Sequence, residues 1–166
     1  MQRVERGFPI FVLLASIIVL GAALLSQYWG GLAPCELCLK ERWAWTAAIV
    51  VSFVAVTTGT SSALGRVAWL LVAVFAAGSA LAFYHVGVER HWFPGPSACT
   101  APLGAATTVE ALKAQILHQQ PVRCDEPAWS LWGISLAGWN LIASLVMTGV
   151  CLAFLWRRGE MRRGIA

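Results

Sequence analysis

Four long stretches of this chain carry no Asp, Glu, Lys or Arg: Gly7–Cys35, Trp43–Gly65, Val67–Val88 and Pro127–Trp156. Each reaches the ~20 residues that a helix needs to cross a bilayer core. In lipid every backbone amide and carbonyl has to be satisfied within the protein, which leaves only helices or the strands of a closed barrel. No alternating strand pattern is present, so the runs read as helices. His91–Val109 is also uncharged, but Pro94, Pro96 and Pro102 break it. The expected fold is an all-α membrane protein, a four-helix transmembrane bundle. It forms one domain over residues 1–166, with spans near 8–28, 43–60, 67–86 and 131–156. Only 12% of residues are charged and 58% are apolar, whereas soluble domains carry roughly one-quarter charged residues.

Four spans place both termini on one side. That side holds Arg3, Arg6, Arg66, Arg157, Arg158, Arg162 and Arg163, against Lys40, Arg42, Arg90, Lys113 and Arg123 on the other. By the positive-inside rule the termini are expected in the cytoplasm, with loops near 29–42 and 87–128 outside. The net charge of +4 follows from this asymmetry and calls for no nucleic-acid partner. Arg3 and Arg6 before an apolar run resemble a secretory signal, but the run is long and no clean cleavage site follows it. Trp29, Trp43, Trp45, Trp92, Trp129 and Trp132 fall at outer ends and Trp69 and Trp156 at inner ones, as interfacial belts do. Trp139, inside the fourth run, is the exception.

The long outer segment opens with the turn-rich Pro94-Gly95-Pro96-Ser97. Thr107-Thr108-Val109-Glu110 then reads as a capping box. Val109, Leu112, Ile116 and Leu117 follow at helical spacing and predict a short amphipathic helix ending near His118–Gln120. Too short to be stable alone, it is expected to rest on the membrane surface or the bundle.

The chain has 5 cysteines. Cys35 and Cys38 open the second span; Cys99 and Cys124 lie in the long outer loop; Cys151 is deep in the fourth run and reads as a buried small hydrophobe. Three readings fit the first four: static structural disulfides, exchanging dithiol pairs, or an all-cysteine zinc site. Local chemistry favours exchange. Pro34 suits a helix start, which puts Cys38 in a first turn whose free amides stabilise a thiolate. Arg42 follows four positions later on the same face, and a permanent charge just inside a membrane needs a reason. Stabilising the Cys38 thiolate or an anionic reduced cofactor supplies one; a snorkelling arginine paired with Glu41 or headgroups is the plainer account. Lys40 and Glu41 read as interfacial residues.

The full constellation resembles the disulfide bond formation protein B (DsbB) family. It comprises Pro34-Cys35-x-x-Cys38 with Arg42, Pro96-Ser97-Ala98-Cys99, Cys124, and the run Trp132-Gly133-Ile134-Ser135-Leu136-Ala137-Gly138-Trp139-Asn140. The likeness covers nearly the whole chain; members often show methionine where Leu136 stands. It implies a quinone-dependent protein-disulfide oxidoreductase of the bacterial inner membrane, with its cysteine loops in the periplasm. The family it resembles is part of the DsbA–DsbB–quinone chain that keeps the periplasm oxidising.

By that resemblance Cys35–Cys38 and Cys99–Cys124 are redox-active pairs. A DsbA-like thioredoxin-fold oxidase is the partner, attacking at Cys99; freed Cys124 then attacks Cys35. Cys38 passes electrons to ubiquinone, or to menaquinone, with Arg42 beside it. His85 or His91 could donate to a quinone oxygen, and no metal is implied. A vitamin K epoxide reductase-type protein uses similar chemistry, but there the membrane Cys-x-x-Cys follows the loop pair instead of preceding it. The remaining rival is a non-enzymatic membrane scaffold held by structural disulfides or zinc.

Overall fold

The uncharged runs fold as four helices: α1 Gln2–Tyr28, α2 Glu36–Thr58, α3 Leu64–Glu89 and α4 Leu136–Arg163. A small antiparallel hairpin, β1 Ser130–Leu131 and β2 Ile134–Ser135, precedes α4. The computed structural model describes residues 2–58, 63–96, 108, 109, 113 and 122–163. Apart from Thr108, Val109 and Lys113, the helix expected over Thr107–Gln120 falls outside those residues, and so does Cys99.

Among the described residues, three helical stretches are long and apolar enough to cross a membrane: Gly7–Tyr28, Leu64–Glu89 and Leu136–Met161. In α2 the first two turns carry Glu36, Lys40, Glu41 and Arg42, and the uncharged stretch begins only at Trp43. The outside of the bundle is apolar, with Phe11, Ile18, Val50, Phe53 and Leu145 exposed. The inside is lined by small residues: Ser16, Ala48, Ser52, Ala68, Ser79, Ala82 and Ser144 are buried. Such an inversion is what lipid imposes, because helices there associate by close backbone approach and not by escape from water. Gly78 marks a close approach of α3 to α2. A Cβ at that position would stand 3.0 Å from the Cβ of Ala44, so α3 reaches α2 only because the side chain is missing.

Near the chain termini Phe8 stacks on Phe154 with ring centroids 3.9 Å apart, which closes α1 against α4. The main core continues through Val12, Trp45, Leu71, Phe75, Met147 and Cys151. Cys151 is therefore the buried hydrophobe its depth suggests. At the opposite end, a smaller cluster gathers Cys35, Leu37, Val88 and Cys124.

Two local devices shape that cysteine end. At the end of α3, the Trp92 N–H donates to the Gly87 carbonyl at 2.8 Å and the His91 N–H to the Val88 carbonyl at 3.0 Å. His91 takes φ 57°, the left-handed position of a Schellman cap, where histidine is among the better-tolerated residues. At the start of α4, the Ser135 hydroxyl accepts the Gly138 N–H at 3.0 Å and donates to Glu89. Ser135 is thus the N-cap. The Trp132–Gly133 turn before it has φ of 52° and 77°, the positive pair of a type I′ hairpin. These features account for α4 beginning at Leu136, later than the expected 131: hairpin and cap take residues 130–135.

Replacing Gly78 by Leu should force α2 and α3 apart and cost about 1–3 kcal/mol. Thermal unfolding in detergent micelles, followed by far-ultraviolet dichroism, would read this as a lowered Tm; an unchanged Tm would contradict the close approach.

Candidate active site

Cys35 caps α2. Its carbonyl accepts the Leu39 N–H at 3.1 Å, and its Sγ accepts the Cys38 N–H at 3.2 Å. Cys38 is consequently the third residue of the helix, in the turn that carries the positive end of the dipole. The two sulfurs lie 2.9 Å apart, with Cys35 donating. That one-way bond sorts the thiols, both of which precede the uncharged stretch of α2. The Cys38 sulfur and burial together push Cys35 up to about 12. Cys38 is held below the ordinary 9.0, first by the Cys35 hydrogen bond, against the cost of its burial.

Cys38, Glu41, Arg42 and Trp45 follow at i, i+3, i+4 and i+7 and share one helix face. They form one wall of a cavity of about 390 Å³. Ile18, Val19, Ala22 and Ala23 of α1 form another wall, and Leu136, Trp139, Asn140 and Ala143 of α4 the third. Ile18 is 69% exposed, so the rim reaches the surface that lipid would cover.

Arg42 turns toward α1, where its guanidinium donates to Gln27 Oε1 at 2.6 Å and to the Ala23 carbonyl at 3.3 Å. Among the described residues neither partner is a carboxylate, so its charge is not paired off by Glu41. The indole N–H of Trp139 is buried and, among the described residues, has no hydrogen-bond partner. Trp45, expected in the interfacial belt, is instead buried and donates to Asn140 Oδ1 at 2.7 Å.

His85 does not line the cavity. It is buried on α3, with Nε2 3.5 Å from Cys35 Sγ and Nδ1 2.8 Å from Glu41 Oε1. His91 is exposed and stands by Trp92, Phe93 and Asp125 around a separate surface hollow. The structure thus brings Cys35, Cys38, Cys124, Arg42 and His85 to one end, and leaves His91 off the main cavity. The donor atoms of Cys35, Cys38 and His85 lie within 4.8 Å of one another and could meet a soft metal ion. The sulfurs, however, are closer than the roughly 3.7 Å that tetrahedral thiolates with ~2.3 Å zinc bonds keep. The arrangement reads better as a dithiol with a histidine beside it.

A family model described as "Disulfide bond formation protein DsbB" matches residues 5–154. The chain belongs to the DsbB family. It is 30% identical to Disulfide bond formation protein B of Stutzerimonas stutzeri (strain A1501) over 92% of this chain and 96% of that protein. With the protein of the same name from Cupriavidus necator (strain H16) it shares 29% over 95% of this chain and 97% of the relative. No solved structure matches it. As a DsbB-family member the protein is a membrane oxidoreductase of disulfide bond formation.

Sequence reasoning missed Glu41 and Asn140. Glu41 read as interfacial, yet it is only 6% exposed and bonds His85 and Asn140 at once. The signal was available: Glu41 lies on the Cys38–Trp45 face, and His85 and Asn140 are polar residues stranded in otherwise apolar runs.

The split between the thiols sets a pH order. A lowered pKa means that the Cys38 thiolate persists as pH falls toward that value and is lost below it. Alkylation of the reduced protein should therefore rise at lower pH at Cys38 than at an ordinary thiol, while Cys35 stays unreactive until far higher pH. Peptide mass spectrometry across a pH series checks this; equal profiles would refute the sorting.

Proposed function

We propose that the protein reoxidises a DsbA-like thioredoxin-fold thiol oxidase and passes the electrons to membrane quinone, ubiquinone or menaquinone. The observation that carries this reading is the position of Cys38. A thiol disposed to ionise sits in the wall of an apolar cavity whose rim meets the lipid-facing surface. The volume is in the range of small-ligand sites. Its polar groups also suit a quinone ring: the Trp139 N–H, unpartnered among the described residues, offers a donor to a carbonyl oxygen, and Arg42 a positive charge that no described carboxylate pairs. When bound, a quinone supplies a two-electron acceptor that moves freely in the bilayer. An acceptor of that strength is needed, since DsbA-type oxidants already stand near roughly −120 mV.

The chain's own residues then divide the work. Cys99 and Cys124 form the pair that meets the partner, with Cys99 the point of attack. Cys124 lies in the same small buried cluster as Cys35, which suits exchange between the two pairs. Cys38 presents its sulfur to the cavity, Arg42 steadies negative charge there, and Trp139 orients the ring. The cysteine end faces the periplasm and the termini the cytoplasm, in the bacterial inner membrane.

Purified protein with ubiquinone should oxidise the reduced partner catalytically, and Cys38→Ser should reduce turnover to background. Quinone-dependent turnover that survives Cys38→Ser would sink the assignment. Trp139→Phe removes one donor and should raise the KM for quinone about 3- to 10-fold, the value of one hydrogen bond, with less effect on kcat.

A further inference from the structure

A chain of hydrogen bonds starts at Cys35 and ends in the cavity wall. Cys35 Sγ stands 3.5 Å from His85 Nε2, and His85 Nδ1 stands 2.8 Å from Glu41 Oε1. Asn140 Nδ2 donates to Glu41 Oε2 at 2.7 Å, and Trp45 Nε1 donates to Asn140 Oδ1 at 2.7 Å. Cys35, His85, Glu41 and Trp45 are all more than nine-tenths buried. With Glu41 as acceptor, Nδ1 carries a hydrogen, so the neutral ring leaves its Nε2 lone pair beside the Cys35 sulfur, in reach of the thiol proton once that proton turns from Cys38. Nucleophile, base and orienting carboxylate are therefore in line.

We propose that His85 is the acid–base partner of Cys35, taking the thiol proton at Nε2 as Cys35 closes on Cys38. Glu41, held by Asn140 and Trp45, is the positioning residue. The inference rests on the reading of this dithiol as the donor to quinone. A base is needed because the hydrogen bond that favours the Cys38 thiolate also keeps Cys35 protonated. In the step, the Cys35 S–H bond breaks, the Cys35–Cys38 S–S bond forms, and two electrons pass to the quinone. Conversion to quinol requires two protons. One is the Cys35 proton, handed through His85 to Glu41 at the cavity wall; the other comes from water.

Other titratable groups are close to His85 and bear on any pH profile. They are Glu41 on α2, Cys35 and Cys38 at its start, Cys124 in the same buried cluster as Cys35, and Glu89 one turn further along α3. A merely structural role, tying α2, α3 and α4 together, would leave the reactivity of Cys35 unrelated to the base. The deciding measurement needs no quinone. In reduced, quinone-free protein carrying Cys38→Ala, alkylation of Cys35 by iodoacetamide is followed against pH by peptide mass spectrometry.

Adding His85→Ala should slow Cys35 alkylation at neutral pH about tenfold or more and move its profile to higher pH. Glu41→Gln, which keeps the shape, should move it the same way by several-fold. A Cys35 rate that rises, or holds within about twofold, in whichever variant folds overturns the proposal. With quinone and partner present, His85→Ala in the otherwise unaltered protein should lower turnover about 100-fold at neutral pH. Turnover should recover as hydroxide replaces the base at higher pH; a pH profile matching the unaltered protein would overturn the proposal. Absence of any quinone-dependent turnover in the unaltered protein would remove the acceptor reading, and the alkylation result would still decide the base.

Discussion

A carboxylate inside a bundle built for lipid is the constraint on which the cysteine end depends. An unpaired charge there costs several kcal/mol, so Glu41 persists only because both its oxygens are engaged. One meets His85 on α3 and the other Asn140 on α4, which locks three helices in register at the level of the dithiol. Asn140 is fixed in turn by Trp45, and His85 extends the network to Cys35. Small residues elsewhere in the bundle bring the helices together, and the Glu41 network adds directional contacts between them at the dithiol.

The start of α2 then sets the polarity of the thiol pair. Cys35 uses its own sulfur and carbonyl to cap the helix, which places Cys38 where free amides point outward. Because Cys35 donates to Cys38 and not the reverse, the two sulfurs differ before any substrate arrives. The Cys35 side faces His85 and packs with Cys124, while the Cys38 side opens on the cavity. One Cys-x-x-Cys turn thus carries two environments, one polar and hydrogen-bonded, the other apolar.

Much of this was legible in the sequence, and what escaped has a physical cause. Uncharged run length determined the four helices, because lipid leaves the backbone no alternative. Pro34 before Cys35 marked the start of α2, and the depth of Cys151 marked it as core. The start of α4 was misjudged because hydropathy continues smoothly through Ser130–Ser135, whereas the end of a helix is decided by capping, here by the Ser135 hydroxyl. Trp45 looked like one more belt residue, since an indole in a span is amphipathic wherever it lies; only the partner Asn140, 95 positions away, draws it inward. His91 carried the same ambiguity and resolved into a helix cap. Glu41 was hidden by its neighbours: between Lys40 and Arg42 it looked like part of a charged rim, and its true partners lie on two other helices.

Arg42 and Glu41 are adjacent in sequence and opposite in sign, yet they do not pair. Successive residues on a helix diverge by about 100°, so one turns to α1 and the other toward α3 and α4. Had they paired, the cavity would contain a neutral couple and His85 would lack its carboxylate. Held apart on the cavity wall that both share with Cys38, the cation turns to Gln27 and the carboxylate to the imidazole and Asn140. The site keeps its charges separated by anchoring each to a different neighbouring helix, Gln27 of α1 for one and His85 of α3 with Asn140 of α4 for the other. Positive charge therefore lies where electrons would leave, and negative charge where a proton would be received.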